Sequence, residues 1–206
     1  MLIPDLFEKW NISPTGIVHI GAHDCEERAI YEKAGLDDTK VIWIEGNPLV
    51  YERTKKAVPD TVQLYRALVS DKEEDVDFIV TNNSLSSSFL ELKEHLVEHP
   101  YVYEILRMKL KTTTLPQLYT SANIDPTKYD MLVMDIQGAE LHALKGMGEL
   151  VNSFTHIYLE VNTKELYKNC GLLDDVREYL EKYNFVIKDI SMSEHGWGDA
   201  YFAKAC

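Results

Sequence analysis

Short β-branched or aromatic runs alternate with amphipathic stretches along the first third of the chain. "IVHI" (17–20), "VIWIE" (41–45) and "VQLYRALV" (62–69) have the length and composition of strands, and the segments between them place apolar residues at helical spacing. Glu26 to Ala34 is the first such segment; the second opens on Asn47-Pro48, an N-cap followed by proline at the first helical position, and runs through "LVYERTKKA". Crossovers of this length join parallel strands. "DVDFIVTNN" (75–83) alternates like a further strand, and "SLSSSFLELKEHLVEHP" reads as a serine-rich loop leading into a helix that stops before Pro100. The segment 82–113 is the least regular. Beyond it the alternation resumes with a buried strand in "YDMLVMDIQ" (129–137), a helix in "GAELHALKGMGELV", a strand in "THIYLEVN" (155–162) and a helix in "LLDDVREYLEKY". "FVIKDI" (185–190) and "DAYFAKA" (199–205) are too close for a helical crossover and read as a hairpin. The expectation is an α/β fold: a mostly parallel, doubly wound sheet with helices on both faces and one antiparallel strand near its edge.

At 206 residues, with no Gly/Ser/Pro-rich linker, the chain reads as one domain with an N-terminal extension over 1–14. Its 45% hydrophobic and 27% charged residues are the balance of a globular protein. A formal charge of −13 opposes binding to a nucleic-acid backbone, and because the acidic residues are spread along the chain they read first as a solvated surface. Cys25, Cys170 and Cys206 are odd in number and lack CxxC spacing, which argues against a disulfide framework and a structural zinc site. No apolar stretch has bilayer length, and Asp5 and Glu8 stand where a signal peptide would be basic and then apolar, so the expected address is cytoplasmic, away from membranes.

In sheets of this kind ligands lie beyond the carboxyl ends of the strands, where the strand order reverses. Gly21 falls at the end of the first strand, followed by Ala22, His23 and Asp24; its missing side chain would let a ligand come close to the backbone. Glu45 ends the second strand 24 residues later, about where an acidic residue takes both hydroxyls of a ribose. A carboxylate after four apolar residues calls for a partner. The dinucleotide fingerprint G-x-G-x-x-G is absent: His23, Cys25 and Glu26 follow Gly21. That argues against a nicotinamide oxidoreductase. Adjacent acids suit a cationic ligand without phosphate, and S-adenosylmethionine, with S-adenosylhomocysteine as product, answers to that.

Taken in order, "VHIGAHDCEE", "IEGNP", "ALVSD", "LVMDIQGAELHALKGM", "IYLEVN" and "GDAYFAK" resemble the FkbM family of S-adenosylmethionine-dependent methyltransferases. The most specific block is D-x-x-G-A-E-x-x-x-L-K-G at Asp135 to Gly146. The resemblance implies a Rossmann-like class I methyltransferase fold with a seven-stranded sheet, and O-methylation of a hydroxyl on a sugar or other small molecule. Cys25, Val133 and Gln137 stand where the family commonly has a glycine, a lysine and a glutamate.

By resemblance and position, Gly21 and Ala22 pass the methionine part of the cofactor, His23 and Asp24 its amino acid end, and Glu45 and Asn47 the ribose side. Ala67 and Leu68 flank the adenine or are plain core; Asp135 and Gln137 complete the cofactor contacts. Methyl transfer is an in-line displacement, so the protein aligns the acceptor oxygen and removes its proton. Asp135, Glu160 and His195 are the catalytic candidates; His195 equally suits an ordinary hairpin loop, Ser86 to Ser88 border the site or cap a helix, and His142 reads first as a surface or packing residue. Asp135, Glu140 and Glu160 have oxygen ligands for a divalent cation, but no local spacing demands one, and a metal is not expected. The segment 82–113 is placed beside the acceptor. The competing reading is a catalytically silent cofactor-binding module whose Tyr101, Tyr103 and Arg107 meet a protein partner.

Overall fold

The apolar runs form one seven-stranded sheet in a computed structural model of the chain, which describes residues 6–205. In chain order the elements are α1 (Leu6–Lys9), β1 (Ile17–Ile20), α2 (Arg28–Lys33), β2 (Val41–Glu45), α3 (Pro48–Ala57), β3 (Gln63–Arg66), β4 (Leu68–Val69), β5 (Asp75–Thr81) and α4 (His95–Glu98). They continue with β6 (Glu104–Thr113), α5 (Leu115–Ala122), β7 (Met131–Met134), α6 (Glu140–Met147), β8 (His156–Asn162), α7 (Leu173–Glu181), β9 (Phe185–Met192) and β10 (Trp197–Lys204). The main sheet runs β3-β2-β1-β7-β8-β10-β9, and only β10 is antiparallel to its neighbours. The order reverses between β1 and β7. Every residue of β1, β2 and β7 is buried, as expected for strands covered on both faces. One face packs Val18, Ile44, Leu132 and Leu159 under α5, α6 and α7; the other packs Trp43, Val133 and Tyr158 under α1 and α2, with Leu6, Phe7 and Ile12 of the N-terminal segment fully in that core. No described helix is long and apolar enough to cross a membrane. Cys25 and Cys170 are free and buried, and Cys206 lies outside the described residues.

Three elements differ from the sequence expectation. The run 62–69 is not one strand: β3 pairs with β2, and after Ala67 the chain leaves the sheet so that β4 pairs with β6 in a second sheet of order β4-β6-β5. Part of the irregular 82–113 segment is the ten-residue β6, antiparallel to β5. Its residues are mostly exposed, which removes the apolar alternation that marks a half-buried strand. Helix α5 was not anticipated, although its capping box is legible: Thr114 accepts from the Gln117 N–H while Gln117 accepts from the Thr114 N–H.

Candidate functional site

The carboxyl ends of β1, β2 and β7 converge on an open cleft of about 650 Å³. At the end of β1, the N–H groups of Gly21 and Ala22 donate to the Ile44 carbonyl (2.8 and 3.0 Å) and pin this turn to β2. Gly21 has φ +92°, and a Cβ there would lie 1.8 Å from the Asp135 carbonyl oxygen. The close passage of the β1 and β7 ends therefore requires a glycine here, a constraint beyond the ligand approach the sequence suggested. Gly21→Ala combines a backbone clash with a left-handed φ and is expected to cost about 3 kcal/mol or more, a fall in melting temperature of roughly 10 °C; a thermal melt checks it.

Glu45 ends β2 at 8% exposure. One carboxylate oxygen accepts from the His23 N–H (2.8 Å) and the other from the Asn47 N–H (2.7 Å), so this single side chain joins the turns after β1 and β2. Burial pushes its pKa up, and these N–H bonds oppose that rise. Asn47 accepts from the Leu49 N–H to cap α3, while its buried Nδ2 has no partner. His23 (φ +43°) lines the cleft, its ring held by Glu26 (2.6 Å) and Ser84 (2.9 Å). Ala67 and Leu68 line it too, with Phe78 and Phe89 completing an apolar wall. Two expected contacts lie elsewhere. Asp24 turns away to Arg53 (3.0 and 2.9 Å) and Thr54 (2.9 Å), and Ala22 is buried in the core beneath the turn.

A second open cavity of about 940 Å³ adjoins the first, and Leu85, Asp135 and Gln137 line both. Gln137 (φ +56°) donates from Nε2 to Asp135 (2.6 Å) and Glu160 (3.3 Å), and accepts from the Tyr167 hydroxyl (2.7 Å). Glu160 lines this cavity from β8, and Asp199, its register partner on β10, lines it as well. His195 lines neither cavity; it bonds Glu98 (3.0 Å), and its ring is 5.1 Å from that of His99, which does line the second. Asp199, His95, Tyr167 and the wall residue Phe78 were missed by sequence reasoning. Asp199 had a signal, the "GDAYFAK" block; Tyr167 and His95 sit in loops and a single helical turn, where periodicity carries no information.

Carboxylate oxygens of Asp135, Glu140 and Glu160 lie within 4.8 Å of one another. Glu140, far from being a plain helix-start charge, is fully buried and accepts from the Ile136 (2.8 Å) and Gly138 (3.3 Å) N–H groups. Burial, with Asp135 beside it, pushes its pKa up to about 8; the same causes raise Glu160 far above the carboxylate range, and burial raises Asp199 to about 7. Above about pH 7.5 the histidines whose pKa burial lowers, His19, His95, His142 and His156, are neutral in either state. There the folded chain holds carboxyl protons that the unfolded chain has released, so stability falls as pH rises through about 8. Thermal melts between about pH 7.5 and 9 are expected to show this fall, and Glu140→Gln, which keeps the acceptor for both N–H groups, to flatten it. A melting temperature that climbs over this range contradicts the assignment.

A reversed strand order at β1/β7, an acidic residue ending β2 and a cleft with no lining lysine or arginine define a Rossmann-like fold of the S-adenosylmethionine-dependent methyltransferase type. The chain belongs to the methyltransferase FkbM domain family, whose model matches residues 19–187. It is 27% identical over 134 residues to the 2-O-methyltransferase NoeI of Sinorhizobium fredii; the match takes in 62% of this chain and 54% of that protein, so the chain spans about half the length of this curated relative. Among solved structures, a protein of the NADB-Rossmann superfamily from Streptococcus agalactiae superposes with a TM-score of 0.54 at 13% identity (99% of this chain, 69% of that one). The ribosomal protein L11 methylase of Lactobacillus delbrueckii gives 0.52 at 10% identity (96% and 74%). These two likenesses are of fold.

Proposed function

We propose that the protein is an S-adenosylmethionine-dependent O-methyltransferase acting on a hydroxyl of a sugar or other small molecule. The observation that carries this reading is the junction of two cavities at Asp135 and Gln137: one has the acidic strand end and apolar wall that suit a nucleoside, the other opens beside it, and a carboxylate stands between them. In the first, Glu45 has lone pairs left for two ribose hydroxyls, the orphaned Asn47 Nδ2 offers a donor, and Ala67, Leu68, Phe78 and Phe89 give the adenine an apolar wall. Bound there, S-adenosylmethionine supplies a methyl carbon activated by its sulfonium. Asp135 accepts the proton of the acceptor hydroxyl as its oxygen attacks that carbon and the carbon–sulfur bond breaks. Gln137, fixed by Tyr167, orients the Asp135 carboxylate. Segment 82–113 contributes Leu85, His95, His99 and Tyr101 to the second cavity and so borders the acceptor.

Calorimetric titration with S-adenosylhomocysteine is expected to give micromolar affinity, and NAD no heat. No heat with S-adenosylhomocysteine defeats the reading. The Gln137 amide, directed at Asp135 and Glu160, serves those oxygens as a cation would, so turnover is expected to change less than about twofold on adding EDTA. Loss of turnover restored by Mg²⁺ assigns the three carboxylates to a metal instead.

A further inference from the structure

Three carboxylates and no lysine or arginine line the second cavity. Asp135, Glu160 and Asp199 reach it from β7, β8 and β10. Three basic residues on the flanking segments are engaged elsewhere: Lys164 holds Glu98, Lys93 holds Glu165, and Arg107 clamps Glu91 and Glu104; the exposed Lys168 does not line the cavity. Tyr101, Tyr167 and Trp197 supply aromatic wall. Set among them is His95, 5% exposed, its ring 5.3 Å from Tyr167 and 4.9 Å from His99. Its Nδ1 is buried without a hydrogen-bond partner, and burial together with His99 keeps the imidazole neutral. A buried polar atom left unpaired in a cavity wall is unfavourable until a ligand bonds it.

We propose that this cavity selects its acceptor by charge: it takes hydroxyl compounds that are neutral or carry an ammonium group, such as neutral and amino sugars, bonds one hydroxyl at His95, and turns away uronic acids and phosphorylated sugars. The inference rests on reading the second cavity as the acceptor site. A sugar ring offers an apolar face to the aromatic wall and hydroxyls to the imidazole and carboxylates. An anionic substituent in the same place meets Asp135 and, at about pH 8, the ionised Asp199 with no lysine or arginine in the lining to offset them. Burial favours the neutral form of Glu160, which then offers a hydroxyl a hydrogen-bond partner and no charge. An ammonium group meets the same carboxylates favourably.

The test uses the full chain loaded with S-adenosylhomocysteine, at pH 8, where Asp199, with its pKa of about 7, is ionised. Binding of the methyl glycosides of glucose, galactose and mannose, of glucosamine and of glucuronic acid is followed by saturation-transfer NMR and calorimetry. At least one neutral glycoside and the glucosamine are expected to bind, with the glucuronide at least tenfold weaker than either. His95→Phe should weaken the neutral glycoside about tenfold while S-adenosylhomocysteine binding is unchanged, and Asp199→Asn should narrow the discrimination at least threefold. A glucuronide that binds as tightly as the neutral glycosides overturns the proposal. So does a protein that holds S-adenosylhomocysteine and none of these sugars, an outcome that leaves the cofactor reading standing. Failure to bind S-adenosylhomocysteine removes both.

Discussion

Asp135→Ala is expected to lower methyl transfer by about 10²–10⁴-fold, the usual range for removing a positioned acid–base group, while S-adenosylhomocysteine still binds. The carboxylate lies where the two cavities meet, and the Gln137 amide aims it. Truncation removes the group proposed to take the acceptor proton and leaves Gln137 Nε2 with Glu160 alone. Asp135→Asn preserves the shape and most of the hydrogen bonding, and is expected to be almost as inactive, which separates proton removal from packing. Tritiated methyl transfer to a glycan extract or to a binding sugar provides the measurement. Equal incorporation by the native protein and both variants would show that the reaction does not pass through Asp135. No incorporation by native protein that binds the cofactor favours the silent module, for which the exposed Tyr103 and Tyr101, the latter lining the second cavity, offer contact surface. Arg107 is paired with Glu91 and Glu104.

Glu45→Ala has the second large effect, on the cofactor. The side chain accepts from two backbone N–H groups that belong to different turns, so its loss unpairs both and loosens the geometry of the cleft along with the ribose contact. Hydrogen bonds to a charged group are worth about 1.5–3 kcal/mol each. Losing the ribose pair therefore predicts a dissociation constant for S-adenosylhomocysteine raised about 10²-fold or more, read by calorimetry. Glu45→Gln keeps one acceptor oxygen and should recover part of the loss. A tenfold or smaller effect of Glu45→Ala would place the ribose elsewhere.

Much of this molecule was legible along the chain because the central strands are buried on both faces. "IVHI", "VIWIE" and "MLVM" are continuous apolar runs, and continuous apolar runs bounded by turns are what a covered parallel sheet demands. Asn47-Pro48 announced α3 for an equally local reason, a side-chain cap and a fixed φ. β6 escaped notice because its partners are β4 and β5 and its side chains mostly face solvent, leaving no periodic burial to read. The break at Ala67 escaped because both halves of 62–69 are strand-forming; which sheet each half joins depends on neighbours that are remote in sequence.

By itself the sequence determined the central parallel strands and the helices between them, the turn at Gly21 and the acidic end of β2, since each depends on residues within a few positions of one another. Only the tertiary structure decided what those features face. It set Gly21 against the Asp135 carbonyl, turned Asp24 out to Arg53, gathered Asp135, Glu140 and Glu160, and brought His95 and Asp199 to one cavity. Side chains that far apart in the chain meet through strand register and packing of the whole sheet, and no local pattern records where they point.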